Sequence, residues 1–310
     1  MLENIKNDKK ILAAGIDIGS NSIRMLIANV CNGKITDFLV SERATTRLAS
    51  GINQSKKLSD SSISSSLEVL SKYKRILDNY NVTHIKAFAT SAVREATNSD
   101  EFIEEVKKIG LPIEIISGIE EANIIYKGVN NALNIDRTTL IFDIGGGSTE
   151  FIATKDNNVF FAESYKIGVV KLVDAFNMKD DALKNLNDCK HYISDFLKNI
   201  NLPTGIENII ATAGTATTIA AIKLKMKDYD WKKINGYTLS YDDIKELLYF
   251  IAKTDYDKRL NIVGMENGRQ DLVIPGSLMM LEIMEKVNLD KVTISDFGLR
   301  EGAVVTAANY

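Results

Sequence analysis

The sequence TLIFDIGGGSTEFIA occupies positions 139–153 and sets a glycine-rich turn between two short apolar runs. Runs of this length that are rich in Ile and Phe predict two β-strands. Successive glycines leave no Cβ over the turn, so its backbone N–H groups can converge on an anion. A nucleotide-binding P-loop would need a following Gly-Lys-Ser/Thr, and the third glycine of the dinucleotide fingerprint is missing. The turn is therefore predicted to be a phosphate-binding hairpin built from Gly145, Gly146, Gly147 and Ser148.

A second copy of this pattern lies near the N-terminus, where ILAAGIDIGSNSIRMLIA occupies positions 11–28. Aligning Asp17 with Asp143 gives an offset of 143 − 17 = 126 residues and also aligns Ser22 with Ser148. The shared order of strand, Asp, Gly, Ser and strand predicts an internal duplication, in which two equivalent loops grip one substrate from both sides. The predicted phosphate-binding residues of the first loop are Gly19, Ser20, Asn21 and Ser22.

Strand-like and helix-like segments alternate along nearly the whole 310-residue chain, which predicts an α/β protein. At roughly 150 residues per domain, this length suggests two domains. The pattern restarts near residue 138, so the boundary is predicted at 133–137. Helices are predicted at 60–79, 99–109, 119–133, 180–199, 214–224, 241–253 and 271–287, and strands at 84–90, 113–116, 208–213 and 291–295.

Composition excludes several classes of protein. Lys plus Arg number 38 and Asp plus Glu number 41, and this net charge of −3 argues against a general nucleic-acid coat or a binder of anionic membranes. The N-terminus lacks the apolar core of an export signal, and no uncharged stretch reaches the ~20 residues of a membrane span. The two cysteines, Cys31 and Cys189, and the two histidines, His84 and His191, have no metal-ligand or triad spacing. These features indicate a cytoplasmic protein without a disulfide framework or a zinc site.

Three carboxylates lie beside the two glycine loops, namely Asp17, Asp143 and Glu150. Both aspartates are flanked by Ile at a predicted strand end, unlike an exposed turn residue. Oxygen ligands of this kind suit Mg²⁺, which keeps several waters and bridges to phosphate oxygens. The alternative is that these are surface carboxylates of the turns.

The sequence from Ser117 to Glu121 has the spacing of a capping box, with Ser117 as the N-cap and Glu120 reaching back to it. Glu121 is left without a local partner. At a helix N-terminus the macrodipole is expected to hold it ionised near pH 7, as a general base must be. The alternative is an exposed first-turn acid that stabilises the helix.

Positively charged groups must meet a polyanion, and the planar guanidinium of arginine suits bidentate phosphate contact. The arginines beside predicted turns are Arg47, Arg94 and Arg269. Gly214 and Thr215 open a helix after a strand and could form a third anion site. The segment 223–233 holds five lysines, and is interpreted either as a solvated helix end or as an outer patch that tracks a polyanion.

Taken in order, these motifs resemble the Ppx/GppA phosphatases, a family of exopolyphosphatases and guanosine pentaphosphate phosphatases related to actin, sugar kinases and heat-shock chaperones. The resemblance implies two actin-like (ribonuclease H-like) domains with the active site in the cleft between them. It also implies that the last helix returns to the first domain, which gives domains of 1–135 plus 298–310 and of 136–297, with no C-terminal region resembling HD hydrolases. The motifs that carry it lie at 15–24, 89–96, 116–122, 142–151 and 295–302.

The resemblance implies a role for individual residues. Glu121 would be the base that activates water, Asp143 and Glu150 would act at the metal and the water, and Arg94 would contact the phosphate chain. Asn123 departs from the family pattern, which usually has Arg after Glu-Glu-Ala. The implied cofactor is Mg²⁺, with a monovalent cation as a second ion, and a homodimer is implied by the resemblance alone.

The function expected from these residues is hydrolysis of the terminal phosphoanhydride of inorganic polyphosphate. Guanosine pentaphosphate 5′-phosphatase is the main alternative, because that substrate also ends in a phosphoanhydride. A sugar kinase of the same superfamily would need a nucleotide pocket and an Asp base. A non-catalytic sensor that binds polyphosphate or an alarmone would bind without releasing phosphate.

Overall fold

The computed structural model describes residues 10–309, with the backbone alone at residues 53 and 54. Two β-sheets organise the molecule. The first has the order β3-β2-β1-β4-β5, built from β1 (Ile11–Ile18), β2 (Ser22–Cys31), β3 (Lys34–Thr45), β4 (His84–Ala89) and β5 (Ile113–Ile115). The second has the order β10-β11-β9-β6-β7-β8, built from β6 (Thr139–Ile144), β7 (Thr149–Lys155), β8 (Asn158–Tyr165), β9 (Asn208–Thr212), β10 (Thr238–Ser240) and β11 (Lys291–Ile294).

Helices cover the faces of both sheets. They are α1 (Ile52–Ser55), α2 (Asp60–Asn79), α3 (Ser91–Glu95), α4 (Ser99–Ile109), α5 (Gly118–Ala132), α6 (Val169–Phe176), α7 (Ala182–Lys198), α8 (Ala213–Lys223), α9 (Trp231–Ile234), α10 (Tyr241–Lys253), α11 (Tyr256–Arg259), α12 (Val273–Val287) and α13 (Leu299–Ala308). In α2, for example, the side chain of Ser59 caps the N-terminus, and Leu70, Tyr73 and Leu77 recur at helical spacing on its buried face. The molecule is an α/β protein, as predicted.

The predicted duplication is visible in the strand pairing. In each sheet the first three strands are antiparallel, and the fourth runs parallel to the first. Asp17 pairs with Arg24 across the first hairpin, and Asp143 pairs with Glu150 across the second. Since 24 + 126 = 150, Arg24 and Glu150 occupy equivalent positions with opposite charges. The two halves share one framework of strands but differ at this point of the cleft.

Each half contributes a helix to the other half's sheet. Apolar side chains of α5 pack on β6, β7 and β9 of the second sheet, whereas Val304 and Ala307 of α13 pack on Ala13 and Leu26 of the first sheet. The return of the last helix that the resemblance implied is therefore observed. The domain bounds themselves stay a prediction.

The two exchanged helices cross at glycines. A Cβ added at Gly128 would lie 2.0 Å from the carbonyl oxygen of Gly298, and one at Gly302 would lie 1.9 Å from that of Ile124. Backbone meets backbone at this crossing, so no larger residue fits without moving a helix. Within residues 10–309, none of the helices combines the length and the apolar character needed to cross a membrane.

Candidate active site

A cavity of about 70 Å³ lies between the two sheets, at the ends of β1 and β6. The cavity is lined by all of the residues predicted to form the two phosphate loops, namely Gly19, Ser20, Asn21, Ser22, Gly145, Gly146, Gly147 and Ser148. Each loop closes with the same hydrogen bond, from the N–H of Gly19 to the carbonyl of Ser22 (3.1 Å) and from Gly145 to Ser148 (3.0 Å). The duplicated hairpins thus present equivalent backbone to one space.

The loops touch each other across the cleft. A Cβ added at Gly147 would lie 2.5 Å from Oγ of Ser91 and 2.8 Å from Oγ of Ser20. Gly147 is therefore required by this close approach rather than by its backbone angles. Both polar atoms of the buried Asn21 side chain lack a hydrogen-bond partner in the described structure, although Asn21 lines the cavity. Buried amides are normally paired, so this side chain is available to a ligand.

The three predicted carboxylates are buried, which excludes the alternative that they are surface residues of the turns. Asp17 accepts two hydrogen bonds from Arg24, at 3.0 and 2.7 Å. Among the described residues, none donates a side-chain hydrogen bond to Asp143 in this way. Burial, together with the negative charge of Glu150, raises the pKa of Asp143 to about 8, although Arg24 opposes the shift. Burial thus favours the protonated form of Asp143 unless a further cation lies beside it.

Glu150 lies behind the cavity lining rather than within it. Its Oε1 accepts hydrogen bonds from the hydroxyls of Ser148 and Ser164, each at 2.7 Å. Burial raises the pKa of Glu150, and the two serine hydroxyls oppose that rise. Ser164 was not predicted from the sequence, because only the pairing of β7 with β8 brings it to Glu150.

Glu121 lines the cavity and is 6% exposed, so it is not a solvated first-turn acid. The predicted capping box of Ser117 and Glu120 is present, which leaves the Glu121 carboxylate to its neighbours. Its Oε2 accepts a hydrogen bond from Nη1 of Arg94 at 3.0 Å. Burial, and then the charge of Glu150, raises the pKa of Glu121 well above its ordinary value, against the effect of Arg94. Burial therefore opposes the helix dipole, which was expected to favour the ionised form of Glu121.

Of the other predicted phosphate-binding residues, some line the cavity and others lie outside its lining. Arg269 lines the cavity with its guanidinium against Gly214, where a Cβ would lie 1.7 Å from it, and burial lowers its pKa to about 10. Arg94, Arg47 and Thr215 are absent from the cavity lining. Arg94 donates to Glu121 and to the carbonyl of Ile116 at 2.7 Å, and Arg47 pairs with Asp271 at 3.2 Å. Thr215 is buried against Gly276.

The lysines of segment 223–233 are exposed, in agreement with a solvated surface. Two aromatic residues of the same segment, Tyr229 and Trp231, were not predicted as site residues. They line a second cavity of about 440 Å³ that adjoins the first through Arg24, Gly214 and Arg269. Trp231 stacks on Phe38 of β3 with ring centroids 4.7 Å apart. The other arginines of this cavity are Arg43 and Arg300.

The carboxylates around the first cavity are the candidate ligands for the expected Mg²⁺. Within residues 10–309, no group of three or more His, Cys, Asp or Glu side chains is arranged to hold a metal ion. Asp17 and Asp143 nevertheless both line the cavity, and the raised pKa of Asp143 indicates that its negative charge is not balanced there. One or two carboxylates together with substrate phosphates are the usual protein ligands of Mg²⁺, so this donor set fits that ion.

The chain is similar in sequence to several known proteins. The model of the Ppx/GppA phosphatase family matches residues 26–310. The chain is 32% identical to the bifunctional 3-dehydroquinate synthase/phosphatase of Fusobacterium nucleatum, over 98% of this chain and 47% of that protein. It is 28% identical to a putative exopolyphosphatase of Haemophilus influenzae, over 94% of this chain and 90% of that protein. It spans 58% of the guanosine-5′-triphosphate,3′-diphosphate pyrophosphatase of Vibrio parahaemolyticus, at 31% identity.

Solved structures agree with the fold. The crystal structure of the Aquifex aeolicus member of the Ppx/GppA family is similar with a TM-score of 0.82 and 30% sequence identity, and the match covers 96% of this chain and 97% of that one. An exopolyphosphatase from Cytophaga hutchinsonii gives a TM-score of 0.84 at 29% identity, over 97% of this chain and 98% of that one. The chain spans about half the length of the Fusobacterium protein, whereas it matches these two structures almost end to end.

Proposed function

Since the chain belongs to the Ppx/GppA phosphatase family, we propose that it is an exopolyphosphatase, which hydrolyses the terminal phosphoanhydride bond of inorganic polyphosphate and releases phosphate. The meeting of both phosphate loops and the Glu121 carboxylate at one cavity carries this proposal.

The proposed reaction uses the chain's own groups in fixed roles. The backbone of the two loops and Asn21 bind the terminal phosphoryl group, and Glu121 accepts a proton from the water that attacks phosphorus. The new P–O bond forms as the bond to the leaving phosphate chain breaks. Arg24 and Arg269 place positive charge at the cavity wall, where it can offset the charge of the transition state. Arg94 orients Glu121 in this proposal and does not contact the phosphate.

Mg²⁺ remains the proposed cofactor. Asp17 and Asp143 would hold it, and it would supply positive charge to the phosphate oxygens. Glu150, with both serine hydroxyls on one oxygen, would help to organise the site from behind. A cytoplasmic location and a homodimer stay predictions.

A second candidate function is removal of the 5′-terminal phosphate of guanosine pentaphosphate. The adjoining cavity of about 440 Å³ lies in the size range of small-ligand pockets and offers Trp231 and Tyr229 for stacking and arginines for phosphate. The discriminating experiment measures inorganic phosphate released with Mg²⁺ from short polyphosphate, long polyphosphate and guanosine pentaphosphate in parallel. Release from polyphosphate supports the exopolyphosphatase, and release from guanosine pentaphosphate alone supports the second candidate. Tight binding of polyphosphate without any release would make the chain a sensor.

The pH dependence of turnover should report the buried base. Glu121 must be ionised to accept a proton, and burial with the Glu150 charge raises its pKa. We therefore expect kcat/KM to fall as pH drops through this raised pKa, at a pH above the ordinary range of a carboxyl group. The control is Glu120→Ala, which removes the exposed neighbour and should leave the profile in place. A profile that is flat down to pH 5 would contradict this assignment.

A further inference from the structure

An ion pair joins the two halves beside the phosphate loops. Glu95 ends α3 in the first half, and its two carboxylate oxygens accept hydrogen bonds from Nζ of Lys171 of α6 at 3.2 and 3.1 Å. The same carboxylate accepts a hydrogen bond from Oγ of Ser91 at 2.8 Å. The side chains of Glu95 and Lys171 are 23% and 18% exposed, so solvent screens this pair less than the exposed pairs of the surface.

Both partners are connected to the cavity. The N–H groups of Val169 and Val170, at the start of α6, donate to the carbonyls of Gly145 (3.0 Å) and Gly146 (2.9 Å). On the other side, Ser91 lines the cavity and its hydroxyl lies against Gly147. The contacts therefore form a closed ring that runs from the second loop through α6 and Lys171 to Glu95, then through Ser91 back to the same loop. Thr90, next to Ser91, joins this ring to the first loop, because its N–H donates to the carbonyl of Ile18 at 3.2 Å.

The contacts of Glu95 stabilise its ionised form. Burial opposes ionisation of Glu95, but the hydrogen bond from Ser91 and the charge of Lys171 outweigh it, and the pKa of Glu95 lies below its usual value. Because the Ser91 hydroxyl donates to Glu95, its lone pairs and not its proton face the neighbouring loop. Ser91 is thus fixed by Glu95 and is not a free phosphate donor.

We propose that Glu95 and Lys171 are positioning residues that form a clasp across the cleft, and that this clasp sets the separation of the two phosphate-binding loops. Two loops can bind one phosphoryl group from opposite sides only when the distance between the loops matches that group. Small displacements of reacting groups lower the reaction rate strongly. The inference rests on the proposed function, since it assigns the gap between the loops a role in holding substrate.

A double-mutant cycle tests the clasp through turnover. Glu95→Gln and Lys171→Met are each expected to lower kcat/KM for short polyphosphate about tenfold, mainly by raising KM, and the double variant should be no worse than either alone. Lys171→Arg keeps the charge and should retain most of the activity. Lys198→Met breaks the exposed Lys198–Asp195 pair of α7 and should change nothing. Losses that add in the double variant would overturn the proposal.

A second readout needs no turnover. The chain's one tryptophan, Trp231, stacks on Phe38 of the first sheet, so its exposure reports how closely the halves meet. Acrylamide quenching of Trp231 fluorescence is expected to be stronger in Glu95→Gln and Lys171→Met than in the wild type and in Lys198→Met. Equal quenching in all four proteins would overturn the clasp. If the wild type released no phosphate from any substrate, the proposed function would fail while this measurement still decided the clasp.

Discussion

Replacing Glu121 with alanine is expected to lower the rate of phosphate release by roughly 10²- to 10⁴-fold, the usual contribution of a general base. Glu121 is the carboxylate that reaches the cavity from the N-terminus of α5, and Arg94 fixes its orientation at 3.0 Å. Asp17 and Asp143 also line the cavity, but Asp17 is held by Arg24 and both are the proposed holders of Mg²⁺. We therefore expect neither aspartate to act as the base in place of Glu121, which Arg94 orients. The measurement is kcat for inorganic phosphate release from polyphosphate.

The neighbouring glutamate is the matched control. Glu120→Ala removes the carboxylate that closes the capping box, so we expect a small loss in the free energy of unfolding with near-normal turnover. Glu121→Gln keeps an acceptor for Arg94 but cannot take a proton, and should be as inactive as the alanine variant. Near-normal turnover in Glu121→Ala, with a large loss in Glu120→Ala, would reverse the two roles.

The largest loss of stability is expected from Gly302→Ala. Its Cβ would lie 1.9 Å from the carbonyl oxygen of Ile124 and 2.8 Å from the carbonyl carbon, so α13 and α5 would have to separate. Overpacking of a closely fitted contact lowers the free energy of unfolding by about 1–3 kcal/mol. We expect a value at the upper end, because the Ile124 carbonyl belongs to the backbone and cannot rotate away as a side chain can. Chemical denaturation with linear extrapolation to water gives the free energy of unfolding.

A glycine in open space separates steric from conformational effects. Gly33 has φ of +74° and nothing within 4 Å of its Cβ position, so Gly33→Ala carries only the strain of the left-handed region, about 1–2 kcal/mol. Gly302→Ala should be clearly the less stable variant of the two, and Gly128→Ala should resemble it. Equal stability of the Gly302 and Gly33 variants would show that the helix crossing tolerates a methyl group.

Local patterns in the sequence were sufficient for several elements. The predicted helices at 60–79, 99–109 and 241–253 coincide with α2, α4 and α10, because each combines apolar residues at helical spacing with a clear start or stop. The two glycine loops and the capping box were also found in this way. Strands β3 and β8 were missed, since each is an edge strand with many exposed residues and a weak apolar signal.

Long-range features of the site could not be read from local patterns. Ser164, Lys171 and Trp231 reach their partners only through strand pairing or across the cleft. The rise in the pKa of Glu121 was missed for the same reason, because it comes from burial between the assembled halves, which the helix N-terminus alone does not show. Arg94 was expected to contact phosphate, and local patterns gave no sign that its Nη1 would donate to Glu121.

The exchange of α5 and α13 also has a consequence for synthesis of the chain. On the ribosome, β1 and β2 emerge early, but the face formed by Ala13, Leu26, Ala28 and Val30 is covered by residues 299–308. At translation rates of 5–20 residues per second, the roughly 180 residues between β5 and α13 take about ten to forty seconds to appear. The nascent first half must carry an uncovered apolar face for that time.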